Sequence, residues 1–198
     1  MIILFTSYKG SVGKSSIAFN IAAYINSTYV TNDIITIDDD AATNQIEPGL
    51  KRIPFQYRSK QNIVFDFGAM STQVDPKVAH AVDMCDLVVV PTLTDVRSLQ
   101  ATIDIVNFVR AANKPIAVII NNFRDQKKFT LARRHLIDSL GHIPIFAIRA
   151  TTLFERVSRD GRDWFQNVHN DKGEHQLNKT RIAHEAIYDA ILKLGDGV

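Results

Sequence analysis

Cysteine is nearly absent from this sequence, which has one such residue, Cys85, among 198. A single cysteine excludes a disulfide within the chain, a Cys-based zinc site and an iron–sulfur cluster held by one chain. The sequence also lacks any apolar run near the ~20 residues of a membrane-spanning helix. Its N-terminus opens on the apolar residues 2–5, with no basic region or cleavage site. We therefore expect a cytoplasmic protein with no stable membrane insertion.

Net charge is small as well, because 23 Lys and Arg oppose 21 Asp and Glu, and the total of +2 predicts no anionic partner. The charge is unevenly distributed, since residues 124–162 contain nine basic residues and only four acidic ones. The nine are Arg124, Lys127, Lys128, Arg133, Arg134, Arg149, Arg156, Arg159 and Arg162. Such a segment is either a solvated face or a site for the phosphates of DNA.

Short apolar runs rich in Val and Ile recur at wide intervals along the chain. They do not alternate with polar residues, which is typical of strands buried on both faces of a parallel sheet. The runs cover residues 2–5, 34–37, 63–67, 87–90, 116–120 and 143–148. Helical patterns cover residues 14–26, 96–109, 129–140 and 180–194, and residues 168–179 are predicted to be a polar loop. The alternation predicts a single α/β domain over residues 1–198, a doubly wound, mostly parallel sheet with helices on both faces.

The strongest motif is the segment 9–16, with the sequence KGSVGKSS, between the first predicted strand and the first predicted helix. A loop of this kind turns backbone N–H groups toward phosphates, and the helix adds its positive N-terminal dipole. Gly13 would let the backbone approach closely, Lys14 would reach the β- and γ-phosphates, and Ser15 would give its hydroxyl to Mg²⁺. The segment therefore predicts a nucleotide phosphate site.

The loop departs from the usual G-x-x-x-x-G-K-[ST] pattern, because Tyr8 stands where the first glycine belongs and a second lysine, Lys9, follows it. This form resembles the deviant Walker A motif of the ParA/MinD ATPases, and further segments match that family in order. They are residues 34–40 (IITIDDD), 63–69 (IVFDFGA), 85–94 (CDLVVVPTLT), 119–123 (IINNF) and 147–161 (AIRATTLFERVSRDG). The resemblance is closest to the small plasmid or chromosome partition ParA proteins, and it implies a P-loop NTPase fold.

The resemblance also implies roles for individual residues. Lys9 corresponds to the signature lysine that crosses the interface of an ATP-sandwich dimer, and Asn121 to an asparagine near the adenine. Asp38 corresponds to the carboxylate that orients the attacking water, and Asp66 to the one that holds Mg²⁺ through water. The implied catalytic residues are Lys9, Lys14 and Asp38; the implied nucleotide-binding residues are Lys9, Gly10, Ser11, Val12, Gly13, Lys14, Ser15, Ser16 and Asn121; the implied metal-site residues are Ser15, Asp66 through water, and Asp38 as a second water-mediated candidate.

Three departures from the family pattern affect these roles. Ser11 replaces a glycine, so a positive φ at this position would strain it slightly. Residues 41–42 are both alanine where many members have Pro and Gln. Asp38 and Asp40 lie on the same side of a strand, so either of them is a candidate for orienting the water. These departures bear on the rate of hydrolysis more than on nucleotide binding.

By this resemblance the chain is expected to be a slow, partner-stimulated ATPase that uses ATP and Mg²⁺. It would form a homodimer on ATP binding, bind DNA nonspecifically at the nucleoid and position plasmid or chromosomal cargo with a ParB-like or other stimulating adaptor. The candidate DNA-binding residues are Lys127, Lys128, Arg133, Arg134, Arg156, Arg159 and Arg162. Two alternatives stay open: a MinD-like positioning ATPase at a membrane, and a metabolic ATP-dependent enzyme of the dethiobiotin-synthetase type.

Overall fold

A parallel sheet with helices on both faces runs through the part of the chain that the computed structural model describes, residues 1–32, 43–46, 52–57, 62–68, 75–167 and 175–196. The strands are β1 (Ile2–Phe5), β2 (Thr28–Thr31), β3 (Thr43–Gln45), β4 (Ile63–Asp66), β5 (Leu87–Thr92), β6 (Ile116–Phe123) and β7 (Ile145–Arg149). The helices are α1 (Lys14–Tyr24), α2 (Pro76–Met84), α3 (Val96–Arg110), α4 (Gln126–Leu140), α5 (Leu153–Asn167) and α6 (His175–Leu192), with a 3₁₀ turn at Phe55–Tyr57.

The strands lie in the order β3-β2-β4-β1-β5-β6-β7, and every described pair is parallel. Strand β1 is central, and the chain leaves it first toward β2 on one side and later builds β5, β6 and β7 on the other. In open α/β sheets, such a reversal of direction opens a crevice at the carboxyl ends of the strands, where ligands bind. The doubly wound parallel sheet predicted from the sequence is confirmed.

Two hydrophobic cores cover the two faces of the sheet. Leu4 of β1 packs in one core with residues of α2, α3 and α4, and this side is called the α4 face. Ile3 and Phe5 pack in the other core with residues of α1, α5 and α6, and this side is called the α1 face. Neighbouring residues of a strand point to opposite faces of the sheet. Because both faces are covered by a hydrophobic core, the residues of β1 that point to either face are apolar.

Four of the strands predicted from apolar runs are confirmed as β1, β4, β5 and β6, and the run at residues 143–148 forms β7 two residues later than its start. The predicted strand at residues 34–37 lies outside the described residues. Strands β2 and β3 were not predicted, because Thr, Tyr, Asn and Gln interrupt the apolar signal there.

The predicted helices are confirmed as α1, α3, α4 and α6, with shifted ends. Helix α4 begins earlier than predicted, because Asp125 caps it and accepts hydrogen bonds from the backbone N–H groups of Lys127 and Lys128 at 2.8 and 3.2 Å. Helix α6 begins at His175, so the prediction of a loop through residue 179 is wrong at its end. Leu177 packs against the core of the α1 face, which stabilises this first turn despite its polar composition. None of the described helices has the length and apolar character needed to cross a membrane.

Candidate nucleotide site

The phosphate loop lies at the carboxyl edge of the central strands. Phe5, the last residue of β1, is in register with Asp66, the last residue of β4, and with Val89 of β5. The chain then continues through the predicted loop into α1, which begins at Lys14. The topology therefore brings Asp66 to the edge where the loop begins, as the two sequence motifs predicted.

Lys14 and Asp66 form a buried ion pair at this edge. Lys14 is 7% exposed and Asp66 is fully buried, and the ammonium group of Lys14 donates to Oδ1 of the carboxylate. The hydroxyl of Tyr29 donates to Oδ2 at 2.5 Å. The Lys14 Nζ also lies 3.4 Å from the Ser15 Oγ. A buried charge requires such partners, and the structure brings together three predicted residues and one, Tyr29, that was not predicted.

The loop backbone adopts unusual conformations at two positions. Ser11 has a φ of 60°, so the positive φ suspected at this position is confirmed and serine carries the associated strain. Gly13 has a φ of 82°, and a Cβ at this position would collide with the side-chain amide of Asn121. Gly13 is therefore required for two reasons, its backbone conformation and its contact with Asn121.

Asn121 lies at the end of β6 and supports the loop directly. Its side-chain amide donates to the carbonyl oxygen of Val12 at 3.0 Å, and the residue is buried. Its Oδ1 has no hydrogen-bond partner among the described residues. The contact with Val12 gives Asn121 a role in shaping the loop, and its place near the adenine of a bound nucleotide stays a prediction.

Lys9 lies at the rim of the same loop and is half-buried. The Ser7 hydroxyl fixes its backbone, because it accepts from the Lys9 N–H at 3.1 Å and donates to the Lys9 carbonyl at 3.0 Å. Hydrogen bonds from Ser98 and the charge of Lys9 lower the pKa of Asp95, the residue that caps α3.

A cavity of about 200 Å³ extends from the loop toward α5. Its walls come from the loop, α1, β6, β7, α5 and the segments after β5 and β7: Ser11, Val12, Gly13, Ser16, Leu93, Asn121, Asn122, Arg149, Thr151, Phe154 and Glu155. Arg149 is exposed and its guanidinium lies 5.5 Å from the centre of the Phe123 ring. Phe154 and Glu155 fall in the family-like segment 147–161, and no residue pattern singled out either of them as part of the site.

The chemistry of these groups fits a nucleotide with Mg²⁺. The first turn of α1 has no side-chain cap and no acidic residue among the described atoms, so its N–H groups are suited to an anion. Lys14 would hold the phosphates. Mg²⁺ keeps several of its waters in such sites, so Ser15 would give it a hydroxyl ligand and Asp66 would hold it through water. Asp38 and Asp40, the candidates for orienting water, lie outside the described residues.

The basic segment at residues 124–162 does not form one surface. Helix α4 packs on the α4 face and α5 packs on the α1 face, so the sheet separates their basic side chains. On α4 the four candidates are exposed: Lys127, Lys128, Arg133 and Arg134. Arg134 has one ion pair, with Asp138 at 3.8 Å, and both side chains are mostly solvated, so this pair contributes little.

Helix α5 has fewer basic side chains than α4 that are available to contact DNA. Arg162 is 8% exposed and its Nη1 donates to the carbonyl oxygens of Ala22 at 3.2 Å and Ser27 at 2.6 Å, so its prediction as a DNA contact is wrong. These carbonyls lie in the last turn of α1 and in the segment that follows it, so Arg162 links α5 to this end of α1 in the interior. Arg156 and Arg159 both pair with Asp160, at 2.5 and 2.8 Å.

The chain matches a known protein family over most of its length. A sequence model described as the CobQ/CobB/MinD/ParA nucleotide-binding domain matches residues 3–162. No curated protein sequence matches the chain significantly.

Solved structures share the fold at low sequence identity. The cell division ATPase MinD of Pyrococcus furiosus has a TM-score of 0.63 at 12% identity, covering 94% of this chain and 98% of that one. A protein described as a putative plasmid partition protein from Borrelia burgdorferi, bound to AMPPNP, has a TM-score of 0.57 at 17% identity, covering 98% and 97%. MinD of Pyrococcus horikoshii with Mg-ADP has a TM-score of 0.59 at 12% identity, covering 91% and 93%. The sheet and helices are those of the MinD/ParA P-loop NTPase fold.

Proposed function

The chain belongs to the CobQ/CobB/MinD/ParA nucleotide-binding domain family, and we propose that it is an ATPase of the ParA type, a single domain that binds DNA and positions a DNA cargo. The observation that carries the proposal is the buried Lys14–Asp66 pair at the uncapped N-terminus of α1, with Lys9 on the rim of the same loop. Two solved structures of the same fold, described with AMPPNP and with Mg-ADP, support nucleotide binding.

Each residue of the loop has a task in this proposal. Phosphoryl transfer depends mainly on positioning and charge neutralisation, so Lys14 and the loop N–H groups hold the phosphates. Ser15 contributes its hydroxyl and Asp66 a water-mediated contact to Mg²⁺. Asp38 orients the attacking water, and Asp40 is its competitor for that role.

In this proposal the chain forms a homodimer on ATP binding, and Lys9 of one subunit contacts the nucleotide of the other. Its half-buried position and the fixing of its backbone by Ser7 support a preorganised role for this lysine. Val96, in the first turn of α3, is an apolar residue that is 80% exposed next to Asp95, which feels the Lys9 charge. An exposed apolar side chain next to Asp95, whose pKa the Lys9 charge helps to lower, supports a subunit contact at this edge.

Helix α4 is the proposed DNA surface. Lys127 and Lys128 occupy its first turn, where a cation opposes the helix dipole and costs a few tenths to about 1 kcal/mol. Neither has an ion pair among the described residues. Their placement therefore works against helix stability, and contact with phosphates would explain it. Arg133 and Arg134 extend the charge along the same helix, whereas Arg156 and Arg159 of α5 share Asp160 and are secondary candidates.

Membrane positioning of the MinD kind is the second candidate, because structures of that protein share the fold. Helix α6 gives this membrane function little support. Its apolar residues Tyr188 and Ile191 are buried against the sheet, and of its two basic residues, Lys179 and Arg181, Arg181 pairs with Glu185. An ATP-dependent liposome co-sedimentation assay distinguishes the two functions.

A titration of nonspecific duplex DNA with ATP, with ADP and without nucleotide, repeated at several salt concentrations, tests the proposal. We expect binding only with ATP, with an affinity that falls steeply as salt rises. In parallel, sedimentation should show an ATP-dependent dimer in the wild type and none in Lys9→Ala. An unchanged dimer in Lys9→Ala would disprove the sandwich arrangement, and binding to liposomes but not to DNA would favour the MinD-like function.

A further inference from the structure

Tyr29 is a second hydrogen-bond donor to the carboxylate that the proposed function assigns to Mg²⁺. We propose that Tyr29 is a positioning residue of the nucleotide site, whose hydroxyl fixes the Asp66 carboxylate in the orientation that Mg²⁺ binding requires. The inference rests on the proposed function, since it gives Tyr29 its role through Asp66. Nothing in the sequence motifs indicated this residue.

The register of the sheet explains how Tyr29 reaches Asp66. Tyr29 in β2 lies opposite Val64 in β4, and Val64 and Asp66 are two residues apart, so they point to the same face. Tyr29 is buried, and its ring packs edge-on against Phe19 of α1 with centroids 5.4 Å apart. The hydroxyl is thus held against the Asp66 Oδ2 at 2.5 Å by packing on the α1 face.

The two donors to Asp66 lie on opposite oxygens of the carboxylate. Lys14 donates to Oδ1 and Tyr29 donates to Oδ2. Lys14 is also the residue proposed to hold phosphates, so its bond to Asp66 competes with that task. The Tyr29 bond holds the plane of the carboxylate whether or not Lys14 is engaged elsewhere, and a fully buried carboxylate requires such a donor.

Residues that hydrogen-bond to a metal-binding group characteristically set its orientation, and their removal lowers metal affinity by about 10- to 100-fold. A purely structural role for Tyr29 would have a different signature. It would lower the stability of the fold and weaken nucleotide binding equally with and without Mg²⁺. The Mg²⁺ dependence of nucleotide binding therefore separates the two roles.

The test uses Tyr29→Phe, which removes the hydroxyl and keeps the ring against Phe19. Binding of a fluorescent ADP is measured without Mg²⁺ and across a Mg²⁺ titration. We expect the Mg²⁺ concentration for half-maximal effect to rise about tenfold, while the affinity without Mg²⁺ changes less than about threefold. Tyr188→Phe is the matched control, because the Tyr188 hydroxyl is buried without a partner among the described residues, and we expect it to leave both quantities unchanged.

Asp66→Asn, measured in the same way, separates failure of the inference from failure of the proposed function. If Asp66→Asn abolishes the Mg²⁺ effect and Tyr29→Phe leaves it at the wild-type value, Tyr29 has no positioning role. An equal loss of affinity with and without Mg²⁺ in Tyr29→Phe overturns the inference as well. If Asp66→Asn itself retains the wild-type Mg²⁺ dependence, the assignment of Asp66 is wrong and the inference falls with it.

Discussion

The side chain of Asn121 fills the space that a side chain on Gly13 would occupy. Its amide donates to the carbonyl oxygen of Val12, the residue before Gly13, at 3.0 Å. A Cβ on Gly13 would overlap the same amide group. The end of β6 and the phosphate loop are therefore fitted to each other across more than 100 residues of sequence, and the fit depends on glycine.

This contact predicts that Gly13→Ala disrupts the loop. The alanine must keep a φ near 82° and displace Asn121, and we expect a loss of about 2–3 kcal/mol in the free energy of unfolding. The double variant Gly13→Ala/Asn121→Ala removes the overlap and retains the backbone strain. Urea unfolding of the two single variants and the double variant should give a smaller loss than the sum of the single losses, by at least about 0.5 kcal/mol. Additive losses would contradict the steric explanation.

The buried Lys14–Asp66 pair predicts a second double-variant result. Lys14→Met leaves the Asp66 carboxylate without its ammonium partner, and we expect the protein without nucleotide to lose about 3 kcal/mol of stability. Adding Asp66→Asn removes the uncompensated charge and should restore at least half of that loss, although neither variant should bind nucleotide as the wild type does. Urea unfolding measures both effects, and Lys193→Ala, on an exposed residue of the chain, serves as the surface control. No recovery in the double variant would mean that the pair is not what stabilises this edge.

The Gly13–Asn121 contact and the Lys14–Asp66 ion pair also show which parts of the site can be located from the sequence. The motifs predicted that Gly13, Lys14 and Asp66 lie together at one edge of the sheet, and the structure brings them there, because a strand–loop–helix motif and a strand ending in a carboxylate are both readable from local residue types. Strands β1, β4, β5 and β6 were equally predictable, since continuous runs of Val and Ile in soluble proteins are typical of strands in a parallel sheet that is covered on both faces.

The unpredicted features depend on contacts between distant segments. Tyr29 lies in the short strand β2, whose sequence TYVT gave no strong apolar signal, and its bond to Asp66 exists only because β2 and β4 are neighbours in the sheet. Arg162 belongs to a sequence cluster of basic residues, and its burial follows from its bonds to two carbonyls, one in the last turn of α1 and one just after that helix, at least 135 residues away. Residue composition cannot distinguish such an arginine from an exposed one.

The buried residue His184 is expected to make the free energy of unfolding depend on pH. Burial lowers its pKa from 6.5 to about 4, and it lies between the rings of Phe154 and Tyr188. The unfolded chain takes up a proton below 6.5 while the folded protein does not until about 4, so stability is lost as the pH falls through this window, on the order of 3 kcal/mol in total. His184→Phe should remove this part of the pH dependence.

The measurement for His184 is the free energy of unfolding in urea at several pH values from neutrality down to about 4. Carboxyl groups also titrate at the acidic end, so the relevant quantity is the difference between the wild type and His184→Phe at each pH. We expect this difference to change steadily below 6.5 and to be constant above it. A difference that is independent of pH would show that His184 is protonated as easily in the folded protein as in the unfolded chain.

We expect opposite phenotypes from substitutions at two places in one basic segment, at Lys127 and Lys128 on α4 and at Arg162 on α5. Lys127→Ala/Lys128→Ala should weaken ATP-dependent DNA binding and lower the salt slope by about 1 for each phosphate that the variant no longer neutralises. Stability should hold or rise slightly, because two cations leave the first turn of α4. Arg162→Met should instead lose on the order of 2–3 kcal/mol of stability, since two charged hydrogen bonds to Ala22 and Ser27 disappear.

Urea unfolding and DNA titration with ATP at several salt concentrations measure both variants. Lys193→Ala, on the opposite face of the sheet from α4, is the control for removal of an exposed positive charge and should leave the salt slope unchanged. At a temperature where Arg162→Met is folded, its salt slope should match that of the wild type, because a guanidinium bonded to backbone carbonyls in the interior does not reach phosphates. A reduced slope in Arg162→Met, with a normal slope in the α4 variant, would place the DNA surface on α5.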